Sequence, residues 1–292
     1  MKLVIGIAST GRPAIVTRTV MRLTQQSVRP DRILICVAGE TDIDAQSLGS
    51  LDIPTEILLS KRGLTRQRNT ILDRLHPDDL LIFIDDDFLL MRDYCKEALA
   101  LFNENPAIVM ATGKVLADGI IGPGLTFEQA ESYLSEAGLF ERRELHSVYN
   151  CYGCNMVVRA APIIEHGLRF DERLPFYGWL EDVDFSRQLA GYGLLVMSTS
   201  MRGVHLGTKT WRSPGVKLGY SQVANPIYLA SKGTMAVHRA AVLLMRNMTM
   251  NIIRSLRPEP WVDRRGRLRG NLIAFKDLIA GRLCPERAGG VE

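Results

Sequence analysis

The sequence predicts an α/β protein, a mainly parallel sheet followed by a helical extension. Three observations carry this. The first hundred residues alternate short apolar runs with amphipathic stretches of helical period. The fourth run, Leu80-Leu81-Ile82-Phe83-Ile84, is apolar throughout, as a central strand covered on both faces requires, and leads straight into Asp85-Asp86-Asp87. Beyond residue 200 the charge changes sign: residues 1–200 carry 20 basic and 27 acidic side chains, residues 201–292 carry 16 and 5, for formal charges of −7 and +11.

In chain order, residues 3–8, 33–38, 56–59 and 80–84 read as strands. Between them lie helices over 12–25, where Ile15, Thr19 and Arg22 or Leu23 share a face after the turn signal Thr10-Gly11-Arg12-Pro13, and over 64–75. The pattern loosens at the Gly- and Pro-rich stretch 119–125, and apolar runs return near 151–158 and 194–197. No repeat or low-complexity segment divides the chain, so one domain is expected over 1–230 and a tail of different character over 231–292.

That tail reads as a helix over 231–256 with Arg239, Arg246 and Arg254 on one side, then four arginines beside Trp261, then an amphipathic candidate over 272–283. Its longest uncharged stretch, 247–253, falls well short of the roughly 20 apolar residues a spanning helix needs. Basic amphipathic helices with aromatic anchors suit an anionic membrane surface, while packing on the domain is the plainer account. Nucleic acid is not expected as a partner, because the first 200 residues are acidic and hold no recognisable module for it. Five scattered cysteines, without an export signal, point to free thiols and a cytoplasmic location. Cys151 and Cys154 have the spacing of half a zinc site but lack a second pair.

Two acidic groups carry candidate chemistry. Asp85-Asp86-Asp87 stands at the carboxyl end of the strongest strand, where open α/β sheets place ligands. Adjacent carboxylates repel, and a divalent cation shared by Asp85 and Asp87 relieves this, although acidic turns are also common on solvated loops. Gly178-Trp179-Leu180-Glu181-Asp182-Val183-Asp184 precedes a helical pattern, so its carboxylates fit a helix start as well as a site. His205 follows a short apolar run between small residues, and Lys209 and Arg212 lie on a loop able to fold over a diphosphate.

The opening strand, Gly63-Leu64-Thr65-Arg66-Gln67-Arg68-Asn69, the three aspartates, Glu181-Asp182 before a helix, and His205 follow one another as in a known family. Over residues 1 to about 230 the chain resembles family-2 glycosyltransferases of the GT-A fold, a Rossmann-like nucleotide-diphospho-sugar transferase fold. The resemblance implies that Asp87 binds Mn²⁺ or Mg²⁺ bridging the donor phosphates, that Asp85 contacts the ribose or supports the metal shell beside Asp86, and that His205 completes that shell. Asp182 matches the general base, next to Glu181 and Trp179 on the acceptor or sugar side, and implies inversion. Thr10, Arg12 and Pro13 match the loop that cups the base, and Arg68 and Asn69 the helix facing ribose and phosphates. Asp42, in Ala38-Gly39-Glu40-Thr41-Asp42, stands where many members carry an acidic pair.

The physical need behind these roles is plain. A departing nucleoside diphosphate gains charge that a cation stabilises, and the incoming hydroxyl needs a carboxylate to take its proton. Similar tails occur in bacterial exopolysaccharide glycosyltransferases acting on lipid-linked acceptors, which implies attachment to the inner face of the cytoplasmic membrane and a role in cell-surface polysaccharide synthesis. The alternatives are a sugar nucleotidyltransferase on the same sheet, or a non-enzymatic scaffold or nucleic-acid-binding protein.

Overall fold

The computed structural model describes residues 1–49, 51–138, 143–210 and 214–291. They form two compact units: Met1–Arg62, Arg66–Arg169 and Gln188–Trp211 in the first, and Gly63–Thr65, Phe170–Arg187 and Arg212–Glu292 in the second.

The first unit is built on strands β1 (Lys2–Ser9), β2 (Arg32–Val37), β3 (Thr55–Leu59), β4 (Asp79–Asp85), β5 (Phe88–Leu90), β6 (Ile108–Asp118), β7 (Leu145–Ser147), β8 (Asn155–Arg159) and β9 (Leu194–His205). Their order is β3-β2-β1-β4-β8-β6-β9-β5, with β7 on β9. β1 pairs in parallel with β2 and β4, β2 with β3, and β6 with β9, while β8 runs antiparallel between β4 and β6. This is the expected α/β architecture of mostly parallel strands. The helices are α1 (Pro13–Arg22), α2 (Ala45–Leu48), α3 (Leu64–Leu72), α4 (Tyr94–Glu104), α5 (Phe127–Glu136), α6 (Ala160–Glu165) and α7 (Glu181–Leu189), with the first residues of α3 and most of α7 counted in the second unit.

Local chemistry explains the elements that position the site. Pro13 opens α1 because its missing N–H is one that a first turn leaves unbonded. Val16 and Val20 turn inward, and the helix tightens into a 3₁₀ turn at Leu23–Gln25, shorter than the helix expected to residue 25. On β4, residues 79–84 are all buried, and each Leu, Ile or Phe there contributes about 1.5–3 kcal/mol by leaving water. The register pairs Ala8 of β1 with Asp85 of β4, so the two strands end together and their following loops are neighbours.

The second unit holds α8 (Gly215–Lys232), α9 (Val237–Ser255) and α10 (Arg264–Ile279). The helix expected over 231–256 is broken, because Gly233 adopts φ 86° and closes α8 in the left-handed conformation natural to glycine. α8 and α10 meet through glycines. A Cβ on Gly219 would sit 2.0 Å from the Arg267 carbonyl oxygen, and one on Gly270 2.0 Å from that of Val216. Tyr220, Val223, Ala224 and Ala274 form the core beside this seam. A polar ladder ties in α9: Asn251 donates to Gln222 (2.8 Å) and to Asn271 (2.9 Å), which donates to the Gly219 carbonyl (2.7 Å). Among the described residues no helix is long and apolar enough to cross a membrane.

Candidate active site

β4 and β9 bring three groups together in the first unit. One ligand atom from each of Asp85, Asp87 and His205 lies within 4.8 Å of the others. His205 Nε2 is 3.3 Å from Asp87 and 3.9 Å from Asp85, while Nδ1 is 2.9 Å from Asp118. Asp118 faces His205 across the β6–β9 ladder, and its other oxygen accepts the Tyr152 hydroxyl at 2.8 Å.

Electrostatics sort the carboxylates. Burial raises the pKa of Asp85, with Arg68 and His205 partly offsetting it. Burial also works against ionisation of Asp87, but the His205 hydrogen bond and charge, Arg12 and the Thr208 N–H (2.8 Å) outweigh it and hold Asp87 below the ordinary carboxylate range. Burial favours neutral His205, yet hydrogen bonds to Asp118 and Asp87 and the charges of Asp87 and Asp85 raise it to about 10. Two carboxylate oxygens and an imidazole nitrogen are donors suited to Mn²⁺ or Mg²⁺. The Nδ1–Asp118 contact leaves Nε2 facing Asp85 and Asp87, so the residues present fit such an ion.

Asp86 points elsewhere. It is fully buried, accepts the Ser9 hydroxyl at 2.6 Å and pairs with Arg12 at 2.7 Å; burial lifts its pKa to about 7 against that arginine. Arg12 also reaches to 3.6 Å from Asp87 and so joins the loop after β1 to the acidic turn.

Beside this turn, Thr10, Gly11, Pro13, Ala38, Gly39, Thr41, Asp42 and Arg62 line an open cleft of about 530 Å³ at the carboxyl ends of β1 and β2. Each Asp42 oxygen accepts a backbone N–H, from Gly11 at 2.7 Å and Gly39 at 3.1 Å, so the side chain clamps the two loops of the cleft. Arg68 is buried, donates to Asp85 (3.1 Å) and to the Gly153 carbonyl (2.8 Å), and lies over the Phe83 ring. Asn69 is buried next to it. Lys209 Nζ donates to the carbonyls of Gly119 (3.0 Å) and Ile120 (2.9 Å) on the loop after β6. Arg212 lies outside the described residues.

In the second unit Asp182 occupies the first turn of α7, half-buried, between buried Glu181 and Val183. The preceding segment is strained: Phe176 and Leu180 hold φ of 62° and 74°, conformations costing on the order of 1–3 kcal/mol each in non-glycine residues. Trp179 sits between them, half-buried, and its carbonyl accepts from Asn225 at 2.7 Å. Asp184 is fully buried and takes Lys232 at 2.9 Å and the Thr234 hydroxyl at 2.6 Å. Lys232 also reaches Asp171 at 2.7 Å, so Asp184 anchors α7 to the end of α8.

The profile described as Glycosyl transferase family 2 matches residues 4–167, more than half of the chain. The chain belongs to glycosyl transferase family 2. None of the curated proteins matches it. Among solved structures, this glycosyltransferase is similar to S. aureus TarS 1–349 in complex with UDP-GlcNAc, with a TM-score of 0.61 and 16% identity over 99% of this chain and 83% of that one. It is also similar to the mannosyltransferase PcManGT from Pyrobaculum calidifontis in complex with GDP-Man and Mn²⁺, with a TM-score of 0.56 and 12% identity over 94% and 87% of the two chains. Against a longer S. aureus TarS chain the TM-score is 0.52 at 16% identity, with 77% of this chain covered and 40% of that one. At these identities the likeness is one of fold.

The sequence reading of this family 2 glycosyltransferase missed Asp118 and Tyr152, which orient His205, and Gln67, which donates to the carbonyls of Ser9 (2.8 Å) and Cys36 (2.9 Å) and so joins the ends of β1 and β2. Asp118 carried a usable signal, an acidic residue ending an apolar strand, as Asp85 does. Gln67 lies within the Gly63 to Asn69 motif, but spacing gives no sign of its bonds to β1 and β2, and Tyr152 carries no signal of its role.

Proposed function

We propose that this family 2 glycosyltransferase moves a sugar from a nucleoside diphosphate sugar onto a hydroxyl of a lipid-linked or polysaccharide acceptor, with inversion, in cell-surface polysaccharide synthesis. The observation that carries the reading is the convergence of Asp85, Asp87 and His205 at the strand ends, next to the cleft of Thr10, Gly39 and Asp42. The similar proteins named above were solved with UDP-GlcNAc and with GDP-Man and Mn²⁺, which supports a donor of this class.

In this reading Asp85, Asp87 and His205 hold Mn²⁺ or Mg²⁺, which when bound offsets the charge gathering on the departing diphosphate. The cleft receives the nucleoside, with Asp42 fixing its two loops, and Arg68, Asn69, Lys209 and Arg212 serve ribose and phosphates. Asp182 takes the acceptor proton as that oxygen bonds to the anomeric carbon and the bond from that carbon to the diphosphate breaks. Trp179 and Glu181 border the acceptor or sugar. Residues 1–230 form the catalytic part, and the basic tail 231–292 meets an anionic membrane at its cytoplasmic face, with no nucleic-acid partner.

Thermal melting with UDP-, GDP-, dTDP- and CMP-sugars, each with and without Mn²⁺, tests this reading, because a ligand binding the native state raises the melting temperature. A rise for one nucleotide class that requires Mn²⁺ is expected. No rise with any of them removes the reading.

A further inference from the structure

α9 presents an apolar face to solvent. Val242 is 66% exposed, Met245 63%, Ile252 51%, Ile253 58% and Leu256, just past its end, 80%. At helical spacing these residues and Thr249 fall on one stripe along the helix, opposite Ala240 and Asn251, which are buried. The buried side is pinned by the Asn251 hydrogen bonds to Gln222 and Asn271, which fixes which face looks outward. Single exposed aliphatic residues are ordinary on protein surfaces, but five aligned along one helix face mark an interaction face.

Charge identifies the occupant. α9 carries Arg239, Arg246 and Arg254 and no acidic residue, and Arg239 and Arg246 border the stripe on one flank. A second copy of the same face would set arginines against arginines. An anionic lipid surface matches this face on both counts, with phosphates beside the flanking guanidinium groups and an apolar layer just beneath them. α9 is not long and apolar enough to cross a bilayer, so it fits in the plane of one.

We propose that α9 is an in-plane membrane helix whose stripe Val242, Met245, Ile252, Ile253 and Leu256 enters the acyl boundary of an anionic bilayer while Arg239 and Arg246 on its flank meet the headgroup phosphates. The inference rests on the reading of the basic tail as membrane-facing and names the helix face and residues that enter the bilayer.

Co-sedimentation of the full chain with vesicles of phosphatidylcholine mixed with phosphatidylglycerol, at low and high salt, tests it. The unmodified protein is expected to sediment and to keep part of its binding at high salt. Met245→Ser combined with Ile253→Ser is expected to weaken binding by about a hundredfold or more, with melting temperature unchanged because both side chains are exposed. Val242→Ser with Leu256→Ser provides a second pair should the first lower the melting temperature. Protein left in the supernatant, or serine variants that bind like the original, overturns the proposal. So does light scattering that finds a dimer which the serine changes dissolve. The Mn²⁺-dependent melting shift with nucleotide sugars is measured on the same variants, so loss of membrane binding alone and loss of the glycosyltransferase reading are told apart.

Discussion

In the first unit, Asp85, Asp86, Asp87 and Asp118 gather around Arg12, Arg68 and His205, and carboxylates outnumber the cations facing them. In the second, acids are shared out among arginines: Glu259 meets Arg264 at 3.0 Å, and Asp277 meets Arg282 at 2.6 Å and Arg287 at 2.8 Å. The second arrangement neutralises each of these acids locally, with Asp277 buried against its two arginines. The first keeps like charges crowded and partly buried, an arrangement that costs stability and is common at sites that carry chemistry. The contrast separates the acid cluster at the sheet ends from the acidic composition of residues 1–200 as a whole.

The largest expected effect sharpens the contrast among the acids proposed to act in the reaction. Asp182→Asn should lower kcat by about a thousandfold while the donor-induced melting shift stays intact, whereas Asp87→Ala should remove the Mn²⁺-dependent part of that shift. Equal loss of donor binding in both variants would dissolve the division of roles. Next comes the glycine seam of the second unit. Gly270→Ala puts a methyl 2.0 Å from the Val216 carbonyl and should destabilise the protein by about 3 kcal/mol, at the upper end of overpacking costs. Gly289→Ala, with nothing within 4 Å, should stay within about 0.5 kcal/mol, and denaturant melts of the two compare them directly.

Asp118→Asn should weaken Mn²⁺ binding by about ten- to a hundredfold, read by paramagnetic resonance of free Mn²⁺, because it removes the carboxylate that orients His205. Unchanged affinity would reduce Asp118 to a strand-end residue. The smallest effect per step is a slope. With His205 raised to about 10, an ion at Nε2 must displace a proton, so Mn²⁺ affinity should climb by about tenfold per pH unit below that value. Without Mn²⁺ the sign for stability is opposite. The raised pKa means the imidazolium pairs stabilise the fold fully below the ordinary value of 6.5, and this is lost as pH rises through about 10. A flat affinity profile would remove His205 from the ligand set.

The parallel strands were legible because they are short apolar runs between turn signals, and the acidic turn because it interrupts the most apolar of them. Asp118 ends a strand as Asp85 does, but its role comes from a β6–β9 register that brings it to His205, 87 residues away. For Asp184 the local sequence fits a helix start as well as a site, whereas its partners in the fold, Lys232 and Thr234, lie 48 and 50 residues away. α8 escaped notice for an energetic reason. Gly215, Gly219 and Pro226 each disfavour a helix in isolation, and tight packing against α10 overrides them. Local propensity therefore misled at the places where distant contacts supply the stabilisation.

The glycine seam also sets how the second unit breathes. Backbones that touch cannot part by small degrees, since the first step of separation gives up the close contacts along two helices together. Amide exchange from α8 and α10 should accordingly collapse into one cooperative event, with α9, tied in by a few amide side chains and bare on its outer face, opening far more often on its own.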